Sequence, residues 1–237
     1  MRLSLKKEKA FLDPILGLIH VNDPIILKLI NSHEMQRLRR IKQLGLINLI
    51  YPGANHTRFE HSIGTMNLGS KLANELELNE DEIELVRISA LLHDVGHGPF
   101  SHVSEGVLSF PHEELTKYVI SKTSMRDYLE EKFDIKEINK IISGEGKLGP
   151  IVSGELDVDR MDYLLRDAYE TGTSYGTFDL ERILRTLRVK NDSLCVKMSG
   201  MHSIEDYIMA RYHMYWQVYL HPDAKSYEIM IQQFFKR

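Results

Sequence analysis

His93-Asp94-Val95-Gly96-His97-Gly98-Pro99-Phe100-Ser101-His102 ends an apolar, helix-periodic run and turns the chain through two glycines. Just upstream, Asn79-Glu80-Asp81-Glu82 has the pattern of a capping box, and Ile83, Val86, Leu91 and Leu92 follow at helical spacing up to Gly96. The pair His93-Asp94 is therefore expected at the C-terminal end of a helix. Alone, such a pair is weak evidence, because a helix-end histidine caps carbonyls as readily as it binds anything. Three histidines at one turn are different: packing supplies no reason for them.

Working outward, apolar residues recur at helical spacing over most of the chain, which predicts a mainly α protein. Asp23-Pro24 reads as an N-cap and first helical residue for a run through Ile30, and Ser32 opens a second segment ending near Gly45. A loop over Tyr51 to Thr57 leads into a helix from about Arg58 to Leu76, and further helices are expected near 112–121, 124–132, 135–142 and from Leu156 to Tyr169. The break from Gly144 to Gly149 lacks the Gly-Lys-Ser/Thr ending of a phosphate-cradling loop and reads as a connection. Leu187 to Met198, centred on Asn191-Asp192, reads as a short β-hairpin and as the only sheet. From His202 onward, Met, Tyr and Ile surround the helical wheel, as expected of helices buried on several sides. The chain stops inside that pattern at Phe234-Phe235-Lys236-Arg237, as a truncated end would.

With 237 residues, 43% of them hydrophobic, and no Pro/Gly/Ser-rich linker, one domain spanning 1–237 is expected. A net charge of −4 argues against a protein whose work is neutralising a nucleic-acid backbone. The basic run Arg37, Arg39, Arg40, Lys42 reads as a solvated helix face. The single cysteine, Cys195, excludes an internal disulfide and a thiolate metal cage and reads as a small buried or strand residue. Met1 to Lys9 is charged and no sustained apolar run follows it, so no leader or membrane span is expected and the cytoplasm is the default.

Of eleven histidines, His56, His61, His93, His97, His102 and His112 fall in one stretch beside acidic residues, whereas His20, His33, His202 and His213 read as structural and His56 is open. Imidazole nitrogens and carboxylate oxygens without thiolate suit a hard or borderline divalent cation and leave positions for water and phosphate, which is hydrolytic chemistry.

Four segments make the reading specific: Gln36-Arg37-Leu38-Arg39 through Lys42-Gln43-Leu44-Gly45; Thr57-Arg58-Phe59-Glu60-His61-Ser62; the His93 to His102 turn; and Asp157-Val158-Asp159-Arg160-Met161-Asp162-Tyr163 through Arg166-Asp167. A looser fifth runs from Ala210-Arg211-Tyr212 to Val218-Tyr219-Leu220-His221. In this order they resemble the HD superfamily of metal-dependent phosphohydrolases, and within it the deoxynucleoside triphosphate triphosphohydrolases of the SAM-and-HD-domain type. The resemblance implies an HD helical bundle and a divalent transition metal (Fe, Mn, Zn, Co or Ni, with additional Mg) on His61, His93, Asp94 and Asp159. It implies acid/base work by His112-Glu113 and His97, phosphate contacts from Arg58, Arg160, Arg211 and His102, and a sugar and base region of Gln43, Leu44, Tyr163, Asp167 and Tyr219. Asp157 and Asp162 are left as capping or supporting groups.

The expected reaction is hydrolysis of a deoxynucleoside triphosphate to deoxynucleoside and tripolyphosphate, by metal-activated water at the α-phosphorus, in a homo-oligomer. The alternatives are an HD-type nucleotidase or phosphodiesterase acting on another nucleotide and, from another class, a non-catalytic nucleotide or nucleic-acid binding module. The Glu-Asp of alarmone hydrolases and the Gly-Tyr-Pro of cyclic-dinucleotide phosphodiesterases are absent where they would stand.

Overall fold

A computed structural model describes residues 8–108, 110–190 and 193–235. The charged start Met1 to Lys7, the expected turn Asn191-Asp192 and the terminal Lys236-Arg237 lie outside the described residues. The protein is mainly helical, as expected, with a hairpin where one was read.

The chain opens with a hairpin that the sequence reading missed: β1 (Lys9–Asp13) and β2 (Gly17–Val21) pair antiparallel, Lys9 opposite Val21 and Asp13 opposite Gly17. The expectation of a single sheet is therefore corrected. Asp13 closes the turn, its Oδ1 accepting from the amides of Ile15 and Leu16 at 2.9 and 2.8 Å.

Two short helices follow, α1 (Pro24–Asn31) and α2 (His33–Gln36). Asp23 accepts from the amides of Ile25 and Ile26, and Pro24 occupies the first helical position, as read from the sequence. The segment expected to remain helical to Gly45 does not do so. After a 3-10 turn over Arg37–Arg40 the backbone becomes extended at Ile41, and Lys42 bridges Thr57. The Arg58 amide donates to Ile41 O (2.9 Å) and the Gln43 amide to His56 O (3.1 Å). Pairing with a strand-like partner some fifteen residues away overrides local propensity, and no local pattern announces it.

The centre is α3 (Arg58–Glu75), followed by α4 (Glu80–Leu92). The Asn79 capping box forms as read: Asn79 Oδ1 accepts from the Glu82 amide at 3.0 Å and Glu82 accepts from the Asn79 amide at 3.2 Å. Helices α5 (His102–Leu108), α6 (His112–Lys122), α7 (Ser124–Glu130), α8 (Ile135–Ile142) and α9 (Gly149–Val152) lead to α10 (Val158–Thr171), which packs against α3. Then come α11 (Leu180–Thr186), the expected hairpin β3 (Leu187–Lys190) and β4 (Ser193–Val196), α12 (Met201–Met214), a π turn over Tyr215–Tyr219, and α13 (Pro222–Phe235). Cys195 lies in β4 with its side chain exposed.

Two apolar clusters meet at α3. Its Phe59, Ile63 and Met66 join Ile26, Leu29, Leu38, Leu91 and Leu129 in one; its Leu68, Leu72 and Ala73 join Val86, Met161, Leu164 and Met214 in the other. Helix α3 is thus buried on most sides, which holds its polar residues at fixed positions in the interior. The C-terminal helices differ from expectation: Tyr207, Ala210 and Met214 are buried, but Trp216 is 66% exposed, Met230 65% and Phe234 73%. An apolar wheel marks surface that gains from cover without specifying the neighbour that supplies it. No helix among the described residues is long and apolar enough to cross a membrane.

Because the Asn79 cap starts the helix that delivers His93 and Asp94, Asn79→Ala is expected to lower stability by about 1 kcal/mol. Urea denaturation should show a reduced midpoint with an unchanged slope.

Candidate metal centre

Three helices converge on one point. His61 lies in the first turns of α3, His93 at the C-terminal end of α4 with Asp94 after it, and Asp159 in the first turn of α10, whose N-cap is Asp157. His61 Nε2 lies 3.3 Å from His93 Nε2, 3.1 Å from Asp159 Oδ1 and 3.7 Å from Asp94 Oδ2; His93 Nε2 lies 3.4 Å from Asp159 Oδ1 and 3.5 Å from Asp94 Oδ1. Ligand atoms held about 2.1 Å from a common cation stand roughly 3 to 3.5 Å apart.

The tautomers follow from the far side of each ring. His61 Nδ1 donates to Asp162 Oδ2 at 2.8 Å and His93 Nδ1 donates to the Ala90 carbonyl at 2.8 Å. A carboxylate and a carbonyl only accept, so each Nδ1 carries the proton and each neutral Nε2 is a bare lone pair facing the other ring and the carboxylates. This donor set fits a divalent cation. In the metal-free protein a proton must substitute: burial pulls the His61 imidazole down, but the Asp159 and Asp162 carboxylates overcome it and hold it up at about 10. Burial would raise the Asp94 and Asp159 carboxyls, yet both are held low, Asp94 chiefly by the Arg58 guanidinium and Asp159 by His61 and His93.

Beyond Asp94 stands a second histidine group. His97 and His112 stack with centroids 3.8 Å apart and 17° between planes, and His102 meets both edge-on. Glu105 Oε1 lies 2.7 Å from His102 Nδ1, 3.0 Å from His112 Nδ1 and 4.0 Å from His97 Nδ1. Glu113, the carboxylate expected to serve His112, is 3.5 Å away and mostly exposed. The seated carboxylate is Glu105, which the sequence reading overlooked although His102 and Glu105 stand three residues apart on one helix face. His97 is buried, and burial together with Arg58 and His112 holds its pKa well below the usual histidine range, so its ring is neutral at pH 7.

Local backbone makes this crowding possible. A Cβ at Gly96 would meet the Thr116 amide and the His112 carbonyl, so only glycine lets the start of α6 sit against the turn; Thr116 Oγ1 accepts from the Gly96 amide (2.9 Å) and donates to His93 O (3.1 Å). Phe100 and Ser101 are left-handed (φ 63° and 54°), an uncommon state for non-glycine residues, and the turn is pinned by Ser101 Oγ, which donates to Lys42 O (2.7 Å) and accepts from Arg58 Nε (2.8 Å). Arg37, expected on a solvated face, instead reaches inward: Nη1 donates to His97 O at 2.6 Å and Nη2 to Val95 O. Its neighbour Arg39 lies over the Phe59 ring. The basic run is therefore partly a clamp on the turn.

The group opens onto a cavity of 460 Å³ whose wall includes His93, Asp94, His97, His102, His112, Glu113, Asp159, Arg58, Arg160, Gln43, Leu44, Tyr163, Asp167 and Tyr219. His61 lies behind it, fully buried, and Arg211 lies outside the wall, 3.6 Å from Glu155. Arg58 pairs with Asp94, and Arg160 with Asp157 and the Gly154 carbonyl. In the same wall Asp167 accepts from Tyr219 OH (2.8 Å) and bonds His56 Nε2 (2.7 Å); His56, undecided from the sequence, is thereby a buried partner of Asp167. Gln43 Oε1 is buried and has no partner among the described residues.

Two family profiles match in tandem, the HD domain over residues 58–167 and the HD associated region over residues 178–237. The chain belongs to the HD superfamily. A Bacillus subtilis protein of uncharacterised function, YwfO, is 44% identical over 98% of this chain and 56% of its own length. The deoxynucleoside triphosphate triphosphohydrolase SAMHD1 homolog of Dictyostelium discoideum is 34% identical over 98% of this chain and 50% of its own. Among solved structures, a phosphohydrolase from Bacteroides thetaiotaomicron superposes with a TM-score of 0.87 at 39% identity, covering 95% of this chain and 58% of that one. The chain spans about half the length of the curated relatives it matches. The HD match begins at Arg58, so β1, β2, α1 and α2 precede it.

The metal-free HD centre has a pH signature. His61 is raised from an ordinary value of 6.5 to about 10 in the folded state, so the stability it contributes is complete below pH 6.5 and lost as pH rises through 10. The melting temperature of chelator-treated protein should fall across that window, and saturating Mn²⁺ should flatten the fall because it takes the proton's place. A metal-free profile that is level from pH 6.5 to 10 would contradict the geometry's reading of His61.

Proposed function

We propose that this HD protein hydrolyses deoxynucleoside triphosphates to deoxynucleoside and tripolyphosphate, by attack of water on the α-phosphorus. The observation that carries the reading is the convergence of two bare Nε2 atoms and two carboxylates at the wall of a cavity that is also lined by a buried, doubly bonded carboxylate, Asp167. The Dictyostelium relative's name supports the substrate.

In this reading His61, His93, Asp94 and Asp159 hold a divalent transition ion, Mn, Fe, Co, Ni or Zn, with Mg accompanying the phosphates. When bound, the ion lowers the pKa of water and draws charge from a phosphoryl oxygen. The protein's own groups do the rest. His112 and His102 are backed at Nδ1 by Glu105, which leaves each Nε2 free to exchange a proton with the attacking or leaving oxygen. The neutral His97 ring, stacked on His112, fixes its plane and excludes water from one side. Arg58 and Arg160 place guanidiniums at the phosphate end. Each Asp167 oxygen keeps a lone pair beyond its His56 or Tyr219 bond, enough to accept a sugar hydroxyl, while Gln43, Leu44, Tyr163 and Tyr219 enclose the sugar and base. The exposed Trp216, Met230 and Phe234 supply apolar surface for a homo-oligomer.

Purified protein incubated with a nucleotide panel and each metal in turn is expected to release intact tripolyphosphate from deoxynucleoside triphosphates, with Asp159→Ala reduced to background. Asp167→Asn, which weakens one charge-assisted hydrogen bond, should raise KM by roughly tenfold or more with less effect on kcat. Orthophosphate as the product would replace the triphosphohydrolase with an HD nucleotidase, and a silent panel would leave only a nucleotide-binding module.

A further inference from the structure

The side chains behind His61 form a continuous buried chain that ends outside the HD match. His61 Nδ1 donates to Asp162 Oδ2; Arg166 Nε and Nη2 donate to Asp162 Oδ2 and Oδ1 at 2.9 and 2.8 Å; and Arg166 Nη1 donates to Asp13 Oδ2 at 2.8 Å. Arg166 is 1% exposed, Asp162 1% and Asp13 8%. A buried guanidinium this deep is tolerated only when its charge and its donors are met, and here two carboxylates do so. Asp13 belongs to the N-terminal hairpin, where its other oxygen already fixes the turn. The network also has room made for it: a Cβ at Gly64 of α3 would collide with the Asp162 carboxylate and the Arg166 guanidinium.

We propose that Asp13 and Arg166 are positioning residues for the metal centre, so that the N-terminal hairpin is a working part of the site. The inference rests on the metal-site reading above. Arg166 spans both oxygens of Asp162 and stops that carboxylate from rotating away from His61 or toward the cation. Asp162 so fixed keeps the proton on His61 Nδ1 and the lone pair on Nε2. Asp13 supplies the second half of the balance. Behind His61 the Arg166 guanidinium is met by two carboxylates, Asp162 and Asp13, so the triad carries a net charge of −1 toward the ligand side. Without Asp13 the Arg166–Asp162 pair would be neutral, and the negative charge that supports a cation on His61 would be weakened.

Mn²⁺ titration by calorimetry on the whole chain tests this, with wild type, Asp159→Ala, Asp13→Asn, Arg166→Met and Gly64→Ala compared. Asp13→Asn keeps an oxygen for the Ile15 and Leu16 amides and removes the charge and the acceptor that face Arg166, so it should fold and bind Mn²⁺ about tenfold more weakly. Arg166→Met and Gly64→Ala should weaken binding at least as much. If Arg166→Met fails to fold, Asp13→Asn decides. Wild-type Mn²⁺ affinity in Asp13→Asn, with or without a lowered melting temperature, makes Asp13 a structural residue only and overturns the proposal. Equal Mn²⁺ binding by wild type and Asp159→Ala, or none by either, removes the metal-site reading itself.

Discussion

The interaction on which the structure turns is the mutual repulsion of donors that carry no proton. Two imidazole Nε2 atoms and two carboxylates meet within 3.1 to 3.7 Å, and the far sides of both rings are committed to acceptors. Nothing in the protein's own covalent chemistry satisfies such a group; it is stable only with positive charge in its midst, a proton or a metal ion. The fold therefore stores unfavourable electrostatics at the junction of α3, α4 and α10 and offsets them with the apolar contacts of those same helices.

That offset explains why α3 is so thoroughly enclosed. Its two ends belong to different apolar clusters, so rotation or sliding that would relax the repulsion at His61 would uncover Phe59 and Ile63 on one side or Leu68 and Leu72 on the other. Close-packed interiors resist such movement because even small voids forfeit many contacts. The glycines at 64 and 96 are the complement: each removes a Cβ where a charged pair or a helix start must approach the backbone. Apolar packing fixes the axes, and missing side chains set how closely polar groups crowd them.

What could be read from the sequence follows the range of the interactions. Helix starts at Asp23, Asn79 and Asp157 are local capping chemistry, and the structure repeats the first two as read. The His93 to His102 turn announced itself because its chemistry is contiguous. The pairing of 41–43 with 56–58, the N-terminal hairpin and the inward course of Arg37 depend on partners that only the folded chain brings near. Glu105 was missed for another reason. The motif pairs His112 with its sequence neighbour Glu113, while the fold turns α5 so that a carboxylate seven residues upstream reaches the ring first. Asp13 carries no signal, since an aspartate before a turn is common, and Arg166 stands in the fourth matching segment without anything local to give it a role.

Asp94 is the residue at which the two halves of the centre become one. Its Oδ2 receives Arg58 and lies 3.7 Å from His61; its Oδ1 lies 3.5 Å from His93, 3.3 Å from His97 and 3.9 Å from His112. A single buried carboxylate thus faces His61 and His93, the stacked pair and Arg58 together. Burial works against its charge, but Arg58, His93 and His97 hold it ionised, and it in turn favours the protonated forms of His93 and His97. Asparagine would keep the shape and remove the charge that every neighbour is arranged around. The pairing of His93 with Asp94 thus has a physical basis beyond two candidate ligands side by side: the carboxylate is the shared electrostatic reference of groups drawn from α3, the turn after α4, and α6.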